Sequence, residues 1–239
     1  MNRQGYCLEL GTVEYSQAFE LQKKLSDARR QGSIGDTVIF IEHPPCFTVG
    51  RHGGFNHILA SPEFLEAQGI KVYETDRGGD ITYHGPGQIV CYPILDLNGF
   101  DRDVHQYARL MEETLIRTLG AFGIKAGRHP DHPGVWVGTA KIAAEGIAIQ
   151  QWVTMHGVAL NVCPNMMHFT FIIPCGISTL GVTSMAQLLG HDVDIKLVQK
   201  EMRKQFCEVF AIELQSVTLD QVMQLVEGAK NEPARLVNC

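Results

Sequence analysis

Apolar and polar residues recur along this chain with two different periods, and the switches between them mark its elements. Between residues 13 and 30, Tyr15, Phe19 and Leu25 repeat among charged residues, the spacing of an amphipathic helix. Residues 37–42 read TVIFIE, a β-branched apolar run that predicts a buried strand, and a short strand is expected at 8–10. Ser61-Pro62 supplies a cap and a first-turn proline for a short helix that Gly69 ends. Strands are expected at 71–74 and 88–95, and a helix at 103–119 ending near Gly120. The middle predicts strands at 134–137, 141–149 and 158–162, with glycines between them. Three helices close the pattern, at 184–189, 194–210 and 218–226; Ser184 with Gln187 and Thr218 with Gln221 form capping boxes.

Strands cluster in the centre without a helix between each pair, whereas a doubly wound sheet alternates strictly. The expected class is therefore α/β in an α+β arrangement, a mixed β-sheet flanked by helices. No repeat, low-complexity stretch or Pro/Ser-rich linker divides the 239 residues, which predicts one domain over 1–239.

Composition narrows the function classes. Hydrophobic residues make up 45% and charged residues 19%, proportions of an ordinary globular protein with a sizeable core. The net charge of -6 argues against nucleic acid as a partner, and the run from Lys23-Lys24 to Arg29-Arg30 fits the solvated face of a helix. No apolar stretch approaches the ~20 residues a bilayer requires, and no signal peptide is expected, so no membrane partner is. The seven cysteines at 7, 46, 91, 163, 175, 207 and 239 are odd in number and include no C-x-x-C pair. Reduced thiols and a cytoplasmic location are the simpler expectation, with no structural metal.

Three segments carry candidate chemistry. Residues 77–88, RGGDITYHGPGQ, concentrate four glycines with Arg77 and His84; the glycines permit close backbone approach to a ligand, the arginine can meet an anion and the histidine can exchange a proton. A glycine-rich hairpin without ligand fits equally, and neither nucleotide-binding glycine motif is present. In residues 138–149, GTAKIAAEGIAI, Lys141 stands among small and apolar residues, where lost solvation favours its neutral form for proton transfer; a strand-end lysine reaching water is the plain alternative. In residues 172–177, IIPCGI, Cys175 sits between proline and glycine, presented on a rigid turn beside backbone N–H groups able to face an oxyanion, or else simply buried and inert. His129-Pro-Asp-His132 lacks the spacing of a helical metal pair, His156 and His168 stand alone as structural candidates, and Phe47, Trp136 and Trp152 read as core or pocket wall.

Taken together, the three segments resemble the lipoate-biosynthesis octanoyltransferases, the LipB family. FTVGRHG at 47–53, YPILDL at 92–97 and HGVALNV at 156–162 add to the resemblance, in the same order from about residue 35 to 188. It implies the fold of the biotin and lipoate protein ligase catalytic domain and an acyltransferase that needs no cofactor. It implies octanoyl-acyl carrier protein as donor, and lipoyl domains of 2-oxoacid dehydrogenase E2 subunits and the glycine cleavage H protein as acceptors. Carried onto this chain, Cys175 is the thioester nucleophile and Lys141 its acid/base partner. The substrate-binding residues are Arg77, Gly78, Gly79, Asp80, Ile81, Thr82, Tyr83 and His84, with Ala144, Glu145, Gly146, Gly157, Val158 and Ala159. Glu145 departs from the family pattern, where an apolar residue commonly follows K-I-A-A; its carboxylate either enters the acyl tunnel or leaves only its backbone there. An ATP-dependent ligase of the same fold would also suit Lys141, and a non-catalytic acyl-carrier-binding protein would retain the pocket without needing Cys175 or Lys141. A papain-like hydrolase lacks a histidine in recognisable context.

Overall fold

The computed structural model describes residues 3–100, 102–174 and 180–231. In chain order its strands are β1 (Arg3–Thr12), β2 (Asp36–Glu42), β3 (Cys46–Val49), β4 (Lys71–Glu74), β5 (Ile81–His84), β6 (Gln88–Ile94), β7 (Gly127–Arg128), β8 (Val135–Val137), β9 (Ala140–Gln150), β10 (Val153–Asn161), β11 (Gly181–Val182) and β12 (Ile212–Ser216). The helices are α1 (Tyr15–Arg30), α2 (Pro62–Ala67), α3 (Val104–Ala121), α4 (Met185–Leu189), α5 (Ile195–Phe210) and α6 (Leu219–Asn231). Among the described residues none is long and apolar enough to cross a membrane.

The strands form two sheets. The larger runs β12-β1-β2-β6-β10-β9-β8-β7, with β11 added to β9, and the smaller runs β4-β3-β5. β1 is parallel to β2 and β12, whereas β2, β6, β10, β9 and β8 pair antiparallel in turn, so the sheet is mixed as expected. Each face of the large sheet buries its own core. Tyr107, Met111, Leu115 and Leu119 recur every four residues along α3, and Val198, Met202, Phe206 and Phe210 do so along α5; these stripes cover Cys91, Val158 and Leu160. The other face packs Val90, Tyr92 and Ala159 with Ala18 and Leu25 of α1 and Val222 and Val226 of α6.

Local signals placed most elements within a few residues. Ser61 caps α2 by accepting from the Phe64 N–H, and Asp103 caps α3 by accepting from Gln106. The Thr218–Gln221 box is reciprocal, at 2.9 and 3.2 Å. Five of the described strands were not anticipated: β3, β5, β12 and the two-residue β7 and β11. β3 and β5 have only four residues each, one after a Pro-Pro pair and one inside the glycine-rich block, too short for a period to declare itself. β10 begins five residues before the expected 158, because His156, with positive φ at 57°, and Gly157 break the apolar pattern inside it.

Candidate functional site

A cavity of about 280 Å³ opens along the β9–β10 pairing, under the loop between β4 and β5. Its floor follows from strand alternation. Gly146 lies opposite Gly157, and Ala144 opposite Ala159, so four positions on one face carry at most a methyl group. A side chain at Gly157 has no room, since a Cβ there would lie 2.2 Å from the Cys91 carbonyl oxygen. At Gly146 a Cβ would meet both the Arg77 Cδ and the Gly78 oxygen at 3.0 Å. The space is therefore made by omission, and the loop above it is pinned by the Gly78 N–H donating to the Ile147 oxygen at 2.8 Å.

The loop's polar groups form one continuous network. Arg77, 7% exposed, donates from Nη2 to the Thr48 carbonyl at 2.6 Å, and from Nε and Nη2 to the Thr48 hydroxyl. His84 Nδ1 meets Gln88 Oε1 at 2.7 Å and its Nε2 meets the Thr48 hydroxyl at 3.3 Å. Burial, with His43 next to it, holds His84 well below the usual histidine range, so the ring is neutral. Gln88 Nε2 donates to the Tyr83 carbonyl and to Asn161 Oδ1, which leaves Oε1 as acceptor and puts the His84 proton on Nδ1. Asn161 donates to the Thr183 carbonyl, and the Thr183 N–H donates to the Lys141 carbonyl. Arg77, in the first chemistry-bearing segment, is thus linked through the end of β10 to Lys141, in the second.

Lys141, 7% exposed, lines the cavity, and its Nζ lies 4.9 Å from the centroid of the Trp136 ring. β11 runs parallel beside it, with Val182 in register with Lys141. Cys175 falls outside the described residues. The chain enters that segment after Ile173, whose N–H donates to the His57 carbonyl, and leaves it into β11.

The cavity brings together most of the residues singled out in the sequence. Arg77, Gly79, Asp80, Ile81, Thr82 and His84 line it from the loop and β5. Lys141, Ala144, Glu145 and Gly146 line it from β9, and Gly157, Val158 and Ala159 from β10. Two expected lining residues do not. Gly78 serves through its backbone bond to β9. Tyr83 points the other way because Ile81–His84 is a strand rather than a loop: it joins the core of the small sheet, and its hydroxyl meets His168 Nδ1 at 2.8 Å. Glu145 also departs from one expectation. Its neighbours in alternation, Ile147 and Ile149, pack on the α3 side, and both its carboxyl oxygens are buried without a hydrogen-bond partner among the described residues. Burial, reinforced by Glu112 of α3, pushes its acid up to about 8. Glu145 thus lines the cavity while its carboxyl is buried within reach of the Glu112 charge.

Sequence reading missed Tyr15, His52, Tyr92, His132 and His156 as cavity residues. His156 is the most constrained of them. Its Nε2 meets Asp76 Oδ1 at 2.7 Å, its backbone N–H donates to the buried Gln22 side chain, and its ring stacks on Phe19. That hydrogen bond holds the Asp76 carboxyl below the usual range, while burial lowers His156. The one local signal was a histidine preceding glycine in HGVALNV, at a backbone position with positive φ.

The cavity thus combines a floor of small residues with a buried lysine and an arginine–histidine network. Residues 14–207 match the lipoyl protein ligase A/B catalytic domain, and the chain belongs to that family. An octanoyltransferase of Solibacter usitatus is 46% identical over 87% of this chain and 94% of its own. Among solved structures, the bipartite lipoate protein ligase of Thermoplasma acidophilum superposes with a TM-score of 0.73 at 17% identity, covering 96% of this chain and 93% of its own. The biotin protein ligase of Aquifex aeolicus with biotin and ATP does so at 0.55 and 14%, covering 86% and 70%. The expected ligase-like fold is borne out.

Proposed function

We propose that this chain is an octanoyltransferase acting in protein lipoylation as one catalytic domain over 1–239. In this reading it moves an octanoyl group from octanoyl-acyl carrier protein to a lysine of lipoyl domains or the glycine cleavage H protein. Cys175 holds the acyl group between the two partners. Its thiolate attacks the donor thioester and the carrier's thiol leaves with a proton; the acceptor amine then attacks the new thioester, the Cys175 thiolate leaves, and the amine gives up a proton as the amide forms. Lys141 handles those protons, as ammonium beside thiolate and as amine beside thiol. The carbonyl oxygen, which becomes anionic in both steps, requires donors fixed in advance.

The observation that carries the reading is the cavity itself, floored by Ala144, Gly146, Gly157 and Ala159 and reached by Lys141, in a chain 46% identical to an octanoyltransferase. The register of β11 on Lys141 supports the pairing of the two catalytic candidates, because β11 follows the Cys175 segment directly. Free Cys7, Cys46, Cys91, Cys163 and Cys207 suit a reducing compartment such as the cytoplasm.

The ATP-dependent ligase reading is separated by reconstitution. Octanoyl transfer from the carrier to a lipoyl domain is expected without ATP. Modification that requires ATP and free octanoate would replace the transferase reading with a ligase.

A further inference from the structure

Trp136 and Lys141 face each other across the β8–β9 pairing as register partners. The Lys141 Nζ sits over the indole at 4.9 Å from the ring centroid, inside the range where a cation is attracted by an aromatic face. The indole is buried, 4% exposed, so this attraction is not diluted by water. Its Nε1 is buried with no hydrogen-bond partner among the described residues. Burying an N–H without a partner is costly, and a phenyl or aliphatic side chain would avoid the cost. What the indole offers in return is the most electron-rich ring face among the side chains. The same ring is flanked by His129, at 5.0 Å between centroids, and His132, at 6.1 Å, and His132 with Pro133 lines the cavity beside Lys141.

We infer that Trp136 is a positioning residue of the transfer reaction, holding the Lys141 ammonium on its ring face at the cavity wall. The inference rests on the reading of Lys141 as the proton-handling group. A lysine stem has four rotatable carbons and a strongly hydrated head, and it reaches one productive position only if something fixes the head. The ring face does so without taking the proton, since it holds the cation and releases the neutral amine. Trp136 thereby differs from a carboxylate partner, which would bind the proton in competition with the reaction.

The test uses fluorinated tryptophans, which withdraw electron density from the ring while nearly keeping its shape. The chain has two tryptophans, so Trp152, which lies outside the cavity, is first replaced by phenylalanine. The readout is the rate of octanoyl thioester formation on the full-length protein. A stepwise fall in the logarithm of that rate is expected from unlabelled to mono-, di- and trifluorotryptophan. Trp136→Leu is expected to lower the rate about 5- to 30-fold, and Trp136→Phe to retain most of it. Rates that stay flat across the fluorinated series overturn the proposal, because that series leaves packing unchanged. Lys141→Ala separates the two readings. If it is inactive while the series is flat, only the role of Trp136 fails; if it transfers at the wild-type rate, the proton-handling reading fails first.

Discussion

Consecutive residues of β9 face two different worlds. Ala144 and Gly146, with Ala159 and Gly157 across the pair, leave the cavity face almost bare, while Glu145 between them has its carboxyl buried within reach of the Glu112 charge of α3. The bare face exists because side chains are missing, and the packed face because they are present. The helix side carries a second contrast. Glu112 is buried but engaged by Arg109 and Arg128, at 3.0 and 2.9 Å, and by the Gly134 N–H, whereas Glu145 has no hydrogen-bond partner among the described residues. The cavity floor and the core beneath α3 thus meet opposite faces of the same strand, and under the proposed function alternate positions can be changed to disturb one more than the other.

The largest effect is expected on the cavity face at Lys141. Lys141→Ala should slow both half-reactions by roughly 100-fold or more, the usual scale for a positioned acid/base group, and Lys141→Arg should not restore them, because a guanidinium does not readily release a proton. Single-turnover rates of each half-reaction measure this; rescue by arginine would reduce the lysine to an electrostatic partner.

Next comes the floor. Ala144→Leu adds three carbons to a position that now carries a methyl group, and is expected to lower the rate with octanoyl donors about 10-fold while sparing shorter chains. The check is a series of donors from six to twelve carbons. An unchanged profile would mean that the acyl chain lies elsewhere.

On the helix face the expected readout is stability rather than rate. The Glu145 acid is raised from 4.5 to about 8 by burial, so the folded chain keeps a proton that the unfolded chain releases between those values. Its contribution to stability is complete below pH 4.5, is lost as pH rises toward 8, and changes no further above that. The slope from this one group approaches about 1.4 kcal/mol per pH unit in mid-window. Glu145→Gln removes the titration, so urea unfolding from pH 5 to 8 should show a flatter profile, with the variant gaining on wild type as pH rises. A parallel pair of profiles would mean that the carboxyl is paired or solvated.

The smallest effect is expected for Glu145→Ile on acyl-length preference: the ratio of rates across the donor series should stay within about two-fold of wild type. A clear shift toward longer chains would return the side chain to the tunnel.

How legible this was depended on whether the signal was local. The cap at Ser61, the ranges of α3 and α5 and the buried run of β2 are written in local sequence, and they were read to within a few residues. The strand identity of Ile81–His84 was hidden by its flanking glycines, so Tyr83 was placed with Thr82 and His84 when alternation sends it to the opposite face. The network from Arg77 through Thr48, His84, Gln88 and Asn161 to the strand of Lys141 joins residues far apart in the chain, and no periodicity announces such hydrogen bonds. His156 was taken for a lone structural histidine because its partners, Asp76, Gln22 and Phe19, arrive from distant segments. The resemblance of whole blocks gave the family and the fold, which no single residue could give.

In the proposed reaction the acyl group passes through Cys175. The most direct measurement is the intact mass of the protein after incubation with octanoyl-acyl carrier protein and no acceptor, followed by peptide mapping. One octanoyl group on Cys175, absent from Cys175→Ser and discharged on adding a lipoyl domain, is the expected result. An unmodified protein that still transfers, or an octanoyl group mapped to another cysteine with Cys175→Ser fully active, would contradict it.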